Sequence, residues 1–338
     1  MRPPREVLRA RAVRRALDRL PALPPSALAP DLHPTMVAHS LALALGPLTV
    51  EALSEAAAAQ PARDRVDSVG IVVAQGVFTS PFEWAALYAT AGLRVHLKAP
   101  SAAPDACLAL ADALAAEGLP VTATTDRDLS GLDALVVFGD DATGAQLRGA
   151  WPDARLTCFG HRVSVALVEV PEDAEERQRL AHALALDSAA YDSRGCMAPT
   201  AVFAGGDLDA LGMDLHAALS TLATTLPRAP LDASLGPEWR RRLGLARALG
   251  RAWGGTDHAV LRLPADHYLP AALPRMLPLH PLDLDVVEGV PLSSAAATAG
   301  LLDLAAALAP RVCAPGQLQA PAFPRLHDGV DMLGCVLR

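Results

Sequence analysis

The chain has 338 residues, enough for two domains, and its 51% hydrophobic and 20% charged residues suit a compact fold rather than a disordered chain. Its 29 basic and 37 acidic side chains leave a formal net charge of −8, which argues against a nucleic-acid partner, because phosphate backbones are bound by clustered cations. The cysteines Cys107, Cys158, Cys196, Cys313 and Cys335 are scattered without metal-ligand spacing, so no metal is expected, and their odd number with no export signal suits a reducing, cytoplasmic setting.

Residues 1–20 place Val7, Leu8, Val13, Ala16, Leu17 and Leu20 at helical spacing, without the apolar block of an export signal. An amphipathic first helix is expected, and helices broken by the prolines from Pro21 to Pro34 continue to about residue 62. The longest uncharged stretch, 32–50, is interrupted by His33, Pro34, His39, Gly46 and Pro47 and is not read as a membrane span. From Val66 the pattern changes to short apolar runs alternating with helical segments. Strands are expected at 69–74, 93–97, 134–138 and 155–159, with helices at 81–91, 104–117 and 142–150 between them. Such alternation implies right-handed crossovers and a parallel sheet covered on both faces, with ligands beyond the carboxyl ends of its strands.

A second α/β unit is expected from residue 164, with strands at 165–170, 200–204, 258–263, 283–287 and 311–314. Its helices are expected at 171–186, 208–226, 237–253 and, in an alanine-rich run, 294–308. The expected division is 1–163 for a cofactor domain with its leading helices, 164–310 for a catalytic domain and 311–338 for a returning tail. No internal repeat or low-complexity linker is found.

Chemistry concentrates in a few places. Gly195-Cys196 stands at a helix-to-strand junction beside Arg194, where a cysteine can be lifted from the core and held partly as thiolate, the form that attacks carbonyl carbon. Lys98 is the only lysine of the chain, in a background where arginine is the default base, and it falls at the carboxyl end of an expected strand. Gly139-Asp140-Asp141 follows another strand; the glycine suits close approach of a pyrophosphate, while Asp140 either caps the next helix or repels such a ligand. His161 follows the strand at 155–159 and is a candidate proton donor, with a structural turn as the alternative. His39, His216 and His280 have no partners at meaningful sequence spacing, and His327-Asp328-Gly329 reads as a tight turn.

Four segments appear in an order that resembles the aldehyde dehydrogenase superfamily: 69–81, with Phe78-Thr79-Ser80-Pro81; 92–101, with Leu97-Lys98-Ala99-Pro100-Ser101; Val136-Val137-Phe138-Gly139-Asp140; and Gly195-Cys196. Within it the chain is most similar to the acyl-CoA reductase family, which includes the fatty-acid reductase of bacterial luminescence systems. Asp192 to Pro199, Arg311-Val312-Cys313-Ala314-Pro315-Gly316-Gln317-Leu318-Gln319 and His327-Asp328-Gly329 carry that closer likeness. The resemblance implies a Rossmann-type cofactor domain beside a catalytic α/β domain. It also implies NADPH-dependent reduction of an acyl-CoA, or of an acyl-carrier or acyl-enzyme donor, to an aldehyde through an acyl-cysteine at Cys196. An acyl-phosphate reductase of the same fold and a non-catalytic subunit of a thioester pathway are the alternatives.

By that resemblance Lys98 lies beside the adenosine ribose, and Ser101 stands where NAD-preferring relatives often carry a glutamate, which leaves room for a 2′-phosphate. Thr79 stands at the superfamily's oxyanion asparagine. Cys158 falls near the general-base glutamate of hydrolytic members and is read as core; a reductase gains by not hydrolysing its acyl-enzyme. Members assemble through added β-elements, and with none identified here a homo-oligomer is one open alternative.

Overall fold

The computed structural model describes residues 3–59, 66–152, 154–270 and 272–337; the parts of the expectations above at 1–2 and 60–62, and the Asp141 side chain, lie outside this description. The chain divides into two compact units, Met1–His161 with Ala322–Arg338, and Arg162–Pro321. The boundaries expected at 163/164 and 310/311 differ from this division at the second cut. Residues 311–313 form a strand of the second unit's sheet, and only the chain after Pro321 returns to the first unit.

In the first unit, helices α1 (Arg5–Leu17), α2 (Pro34–Leu45) and α3 (Val50–Ala58) precede strand β1 (Ser68–Val72). Then follow α4 (Ser80–Ala91), β2 (Arg94–Lys98), α5 (Asp105–Ala116), β3 (Val121–Thr124), β4 (Ala134–Phe138), α6 (Asp141–Ala150) and β5 (Arg155–Phe159). All five strands run parallel in the order β3-β2-β1-β4-β5. β1 after Ser68 and β4 throughout are apolar, and all but the last residue of each are buried, as a covered parallel sheet requires. The order reverses between β1 and β4, so the crevice beyond their carboxyl ends is where such a sheet takes a ligand.

Local chemistry fixes the helix ends. Thr49 accepts the Ala52 N–H to start α3, and α4 opens on Ser80-Pro81 and ends at Gly92 in the left-handed region (φ 83°). A Cβ on Gly92 would lie 2.2 Å from an Arg9 guanidinium nitrogen, a side chain that could move aside, so it is the left-handed backbone of Gly92 that favours glycine here. Leu28, Met36, Val37, Leu41, Leu45, Leu53 and Ala56 are buried in this helical layer. No single helix among the described residues is long and apolar enough to cross a membrane; α2 and α3 pass that test only as a pair bent by 46°.

The second unit contains β6 (Val163–Glu169), α7 (Ala174–Ala189), β7 (Pro199–Gly205), α8 (Leu208–Thr225), α9 (Gly236–Leu249), β8 (Arg251–Gly254) and β9 (Ala259–Arg262). It continues through β10 (Met276–Pro281), β11 (Leu292–Ala297), α10 (Leu302–Leu308) and β12 (Arg311–Cys313). The sheet order is β12-β11-β6-β7-β10-β9-β8, parallel except for the edge pair β8/β9.

Three expectations fail here for physical reasons. The alanine-rich run expected as one helix is a fully buried strand, β11, with helix only from Leu302 onward. Helix propensity is a weak prior, and small side chains between two covered faces serve a central strand equally well. The helix expected through 253 stops at Leu249, because Gly250 meets the Arg262 carbonyl so closely that a Cβ would be 2.2 Å away. The strand expected at 283–287 is a single helical turn, Asp285–Val287, set up by the Asp283 carboxylate accepting the Asp285 N–H at 3.2 Å. A missed strand, β10, carries Pro278 and Pro281, residues that argue against a central strand in a sequence reading.

The tail of the first unit adds the hairpin β13 (Leu326–His327) and β14 (Val330–Asp331), turning at Asp328 and Gly329, and helix α11 (Gly334–Leu337). His327 packs into an aromatic group with Trp84, Phe138 and Phe159, its ring 4.4 Å from that of Phe159. Tyr88 donates its phenolic O–H to the Met332 carbonyl at 2.7 Å. Trp84 is wholly buried at the centre of this group. Trp84→Ala is therefore expected to cost about 3–5 kcal/mol and to raise amide exchange across 322–337, as measured by denaturant titration and hydrogen–deuterium exchange. Unchanged protection of that segment would mean the aromatic group does not hold the tail.

Candidate active site

Cys196 lies in the second unit, between the end of α7 and the start of β7, and is half-buried. The chain reaches it by an unusual path. Tyr191 (φ 54°), Asp192 (φ 53°) and Ser193 (φ 60°) are successive left-handed residues, and Gly195 (φ 86°) is a fourth. Each non-glycine residue in that region costs roughly 1–2 kcal/mol, so the run persists only because its surroundings over-determine it.

Those surroundings are polar and buried. The Asp192 carboxylate accepts from Arg275 Nε at 3.0 Å, and its other oxygen accepts the Ala229 N–H at 3.3 Å. The side chains of this ion pair are 2% and 1% exposed. Ser193 accepts the Arg275 N–H at 2.8 Å and donates its own hydroxyl to the Ser188 carbonyl at 2.7 Å. Burial pushes the Asp192 carboxyl up and the Arg275 guanidinium down, and each counters the shift of the other. On the far side of the loop, Ser164 of β6 donates its hydroxyl to the Cys196 carbonyl at 2.6 Å.

The segment after β12 closes over the same end of the unit. Asp187, one turn before the end of α7, accepts the Gly316 and Leu318 N–H groups at 2.6 and 2.9 Å. Arg311 of β12 donates to the Leu318 carbonyl at 2.9 Å and the Ser294 hydroxyl at 3.3 Å, and reaches the Met197 sulfur at 3.9 Å. It thus brings a cation to the residue next to Cys196. Sequence reasoning had the 311–317 motif only as a likeness and missed Asp187; three buried polar ends meeting in space leave no periodic trace in sequence.

The other cysteines have different settings. Burial raises the Cys107 thiol to about 12, the Cys313 thiol to about 11 and the Cys335 thiol above its usual range, so all three stay protonated at neutral pH. Cys158, in β5, packs its sulfur against Gly144 of α6 and belongs to the apolar core with Leu135 and Val137, in line with its reading as core.

The remaining sequence candidates lie in the first unit. Lys98 is the last residue of β2, half-buried, and donates to the Ala99 carbonyl at 2.9 Å; an ammonium has three donors, and this bond uses one. Ser101 is exposed just beyond it. Thr79 is buried directly ahead of α4, where its carbonyl accepts the Phe82 N–H at 3.0 Å and its side chain makes no capping bond. Gly139 is held at ordinary backbone angles against Thr143, 3.3 Å from where a Cβ would stand. Asp140 does cap α6: its carboxylate accepts the Thr143 N–H at 2.7 Å, and hydrogen bonding to the Thr143 side chain first, and to that N–H second, holds it below the usual carboxylate range. His161 is exposed at the end of the unit. His216 and His280, without partners in sequence, have them in space: His216 Nδ1 lies 2.8 Å from His258 Nε2, and His280 Nδ1 lies 3.0 Å from the Pro264 carbonyl.

A dinucleotide can be fitted to these residues only in part. The carboxyl ends of β1, β2 and β4 meet at the topological switch, with one cation, Lys98, and no acidic side chain at 101. Both flanking helix starts are occupied by the chain itself: α4 by Pro81 and the Ser80 N–H bond to Val77, α6 by Asp140. The donor set suits a ribose phosphate near Lys98 and supplies no dedicated pyrophosphate cradle.

Asp187 gives this site a pH signature. Burial raises its carboxyl from 3.8 to about 6 despite the two N–H bonds. The folded chain thus binds the extra proton between those values, and stability falls as pH rises from about 4 to about 6, by on the order of 3 kcal/mol. Asp187→Asn is expected to flatten that slope in denaturation measured across pH 4 to 7, and an unchanged slope would assign it to other groups.

A family model described as acyl-CoA reductase (LuxC) matches residues 107–338. No curated protein matches the chain. Among solved structures, an oxidoreductase from Marinobacter aquaeolei superposes with a TM-score of 0.76 at 13% identity, over 99% of this chain and 85% of that one. A NAD-dependent benzaldehyde dehydrogenase from Corynebacterium glutamicum gives 0.67 at 13% identity, over 94% and 84%. A gamma-glutamyl-gamma-aminobutyraldehyde dehydrogenase from Burkholderia cenocepacia gives 0.71 at 16%, over 98% and 81%. These likenesses establish an aldehyde-dehydrogenase fold. With a family match that spans well over half of its length and includes Cys196, the chain belongs to the acyl-CoA reductase (LuxC) family, oxidoreductases that act on acyl groups.

Proposed function

We propose that the protein reduces an acyl thioester, acyl-CoA or an acyl group carried by a protein, to the aldehyde, with Cys196 as nucleophile and NADPH as reductant. The observation that carries this reading is the Cys196 loop itself: a half-buried thiol on a strained, polar-pinned turn, in a chain of this family. A cysteine that was merely core would need none of that support.

The chain's residues divide the work as follows. Cys196 Sγ attacks the acyl carbonyl; the new C–S bond forms as the donor's C–S bond breaks, and the departing thiolate takes up a proton. The acyl group is then held on Cys196 as a thioester, and by the family likeness Cys158 falls near the general-base glutamate of hydrolytic members, a replacement that suits a reductase, which gains by not hydrolysing its acyl-enzyme. We assign the Cys196 N–H to the developing oxyanion, and Thr79, on the family likeness alone, and His161, on its place in the sequence alone, are proposed as further catalytic residues. Reduced nicotinamide, when bound, supplies two electrons as hydride to the acyl carbon. Collapse of the resulting hemithioacetal oxyanion breaks the C–S bond to Cys196, releasing aldehyde and the thiolate. Lys98, with Ser101, would hold the ribose phosphate end, and Gly139 and Asp140 would border it. An ammonium facing a 2′-phosphate favours NADPH over NADH by direct charge attraction.

Two experiments test this. Cys196→Ala should abolish NADPH-dependent aldehyde formation from a long-chain acyl-CoA while leaving equilibrium binding of that thioester within a few-fold of the parent. Aldehyde formation by the variant, or tight thioester binding by a parent that never turns over, would exclude this mechanism. Lys98→Ala should weaken NADPH binding by about tenfold and NADH binding far less, as read by nucleotide fluorescence titration. Equal losses would place Lys98 away from the 2′ position.

A further inference from the structure

We propose that the buried Asp192–Arg275 pair is a positioning device for the Cys196 thiol: it holds residues 191–193 in a left-handed run and so fixes where the sulfur is presented. The inference rests on the reading of Cys196 as nucleophile, and it assigns roles to two residues that never touch the substrate.

The geometry leads there step by step. Left-handed backbone is adopted by L-residues singly, in turns, and three in succession need an outside tie at each residue. Here the ties converge on one side chain and its own backbone. Arg275 reaches Asp192 from its guanidinium and Ser193 from its N–H, and Ser193 passes the connection on to Ser188 in the last turns of α7. Arg275 is itself left-handed (φ 53°), so its backbone has also been bent to make the bond. It is anchored to the sheet: Arg275 immediately precedes β10, and its carbonyl accepts the Ala259 N–H of β9 at 3.0 Å. The loop is thus held at one end by the amino ends of β9 and β10, and at the other by Ser164 of β6 on the Cys196 carbonyl.

A stabilising role alone does not account for the pair. Buried ion pairs add little net stability, and apolar residues of similar size commonly do as well or better. What an ion pair adds is direction, since a carboxylate meeting a planar guanidinium has few allowed orientations. Other charges face the same pocket. Asp257 and Arg228 act electrostatically on Arg275, and Arg228 is bonded to the Asp257 and Thr256 carbonyls. Arg275 therefore belongs to a fixed charge arrangement, although Ala259, Leu273 and Met276 next to it are part of a buried apolar cluster.

The test uses the full chain and a double substitution, Asp192→Asn with Arg275→Met, which removes both charges together and keeps at position 192 a residue that tolerates left-handed backbone. The control is Val287→Ala, a buried apolar truncation elsewhere in the same unit. Three quantities are read at 25 °C: acylation of Cys196 by an acyl-CoA, alkylation of Cys196 by iodoacetamide, and amide exchange over 190–198. The double variant should melt within a few degrees of the parent and acylate about 100-fold more slowly. Its alkylation should change by less than about threefold, because a small alkylating agent does not require a directed sulfur. Exchange over 190–198 should rise in the double variant and stay at the parent's level in Val287→Ala. Parent-like acylation in a double variant that has lost the pair would overturn the proposal. If the parent itself forms no adduct, the nucleophile reading is what fails; the pin is then judged by exchange alone, and parent-like protection of 190–198 in the double variant overturns it.

Discussion

The arrangement around Cys196 depends on one buried contact, the carboxylate of Asp192 against the guanidinium of Arg275. A helix ending in ordinary fashion at Ala189 would run straight into β7 or frame a loose loop. Instead the chain is turned through left-handed residues and tied back to the start of β10, and the cysteine emerges half-buried. The same end of the unit gathers Ser164, Ser294 and Arg311 from three adjacent strands, with the Asp187 carboxylate holding the segment that follows β12. The polar ends of the strands, and not the apolar core beneath them, shape the surroundings of the thiol.

The two sheets solve different problems. The first is a five-stranded parallel sheet whose order reverses beside its first strand, and reversal opens a crevice that helices cannot fill. Lys98 stands at that end, alone among the chain's cations in having an ammonium's compact charge. The second sheet presents its cysteine at the amino end of β7, away from the carboxyl ends where parallel sheets usually bind ligands. Cys196 rides on the α7–β7 connection of a parallel crossover, and that connection is made rigid by its ties to Arg275 and Ser164.

Much of this was legible in the sequence, and the pattern of misses is instructive. Parallel strands announce themselves as short apolar runs, so β1 and β4 in the covered part of the sheet, and the half-buried edge strand β5, were placed within two residues. The helix and strand that frame Cys196, expected at 171–186 and 200–204, are found at Ala174–Ala189 and Pro199–Gly205. Composition misled where packing overrode propensity, in the alanines of β11 and the prolines of β10. Asp140 was seen to be either cap or ligand contact, and its bond to the Thr143 N–H makes it a cap. Asp187, Arg275 and the His216–His258 contact were invisible for a common reason. The side-chain partners of these residues lie 42 to 131 residues away along the chain, and a polar bond across that distance leaves no period to detect.

The account stands or falls on where an acyl group attaches. The protein is incubated with an acyl-CoA and no reductant, quenched, digested and mapped by peptide mass spectrometry. The acyl mass should appear on the peptide bearing Cys196 and be removed by neutral hydroxylamine, as a thioester is. An acyl group on Cys158 or another side chain, or no acyl peptide at all, would contradict it.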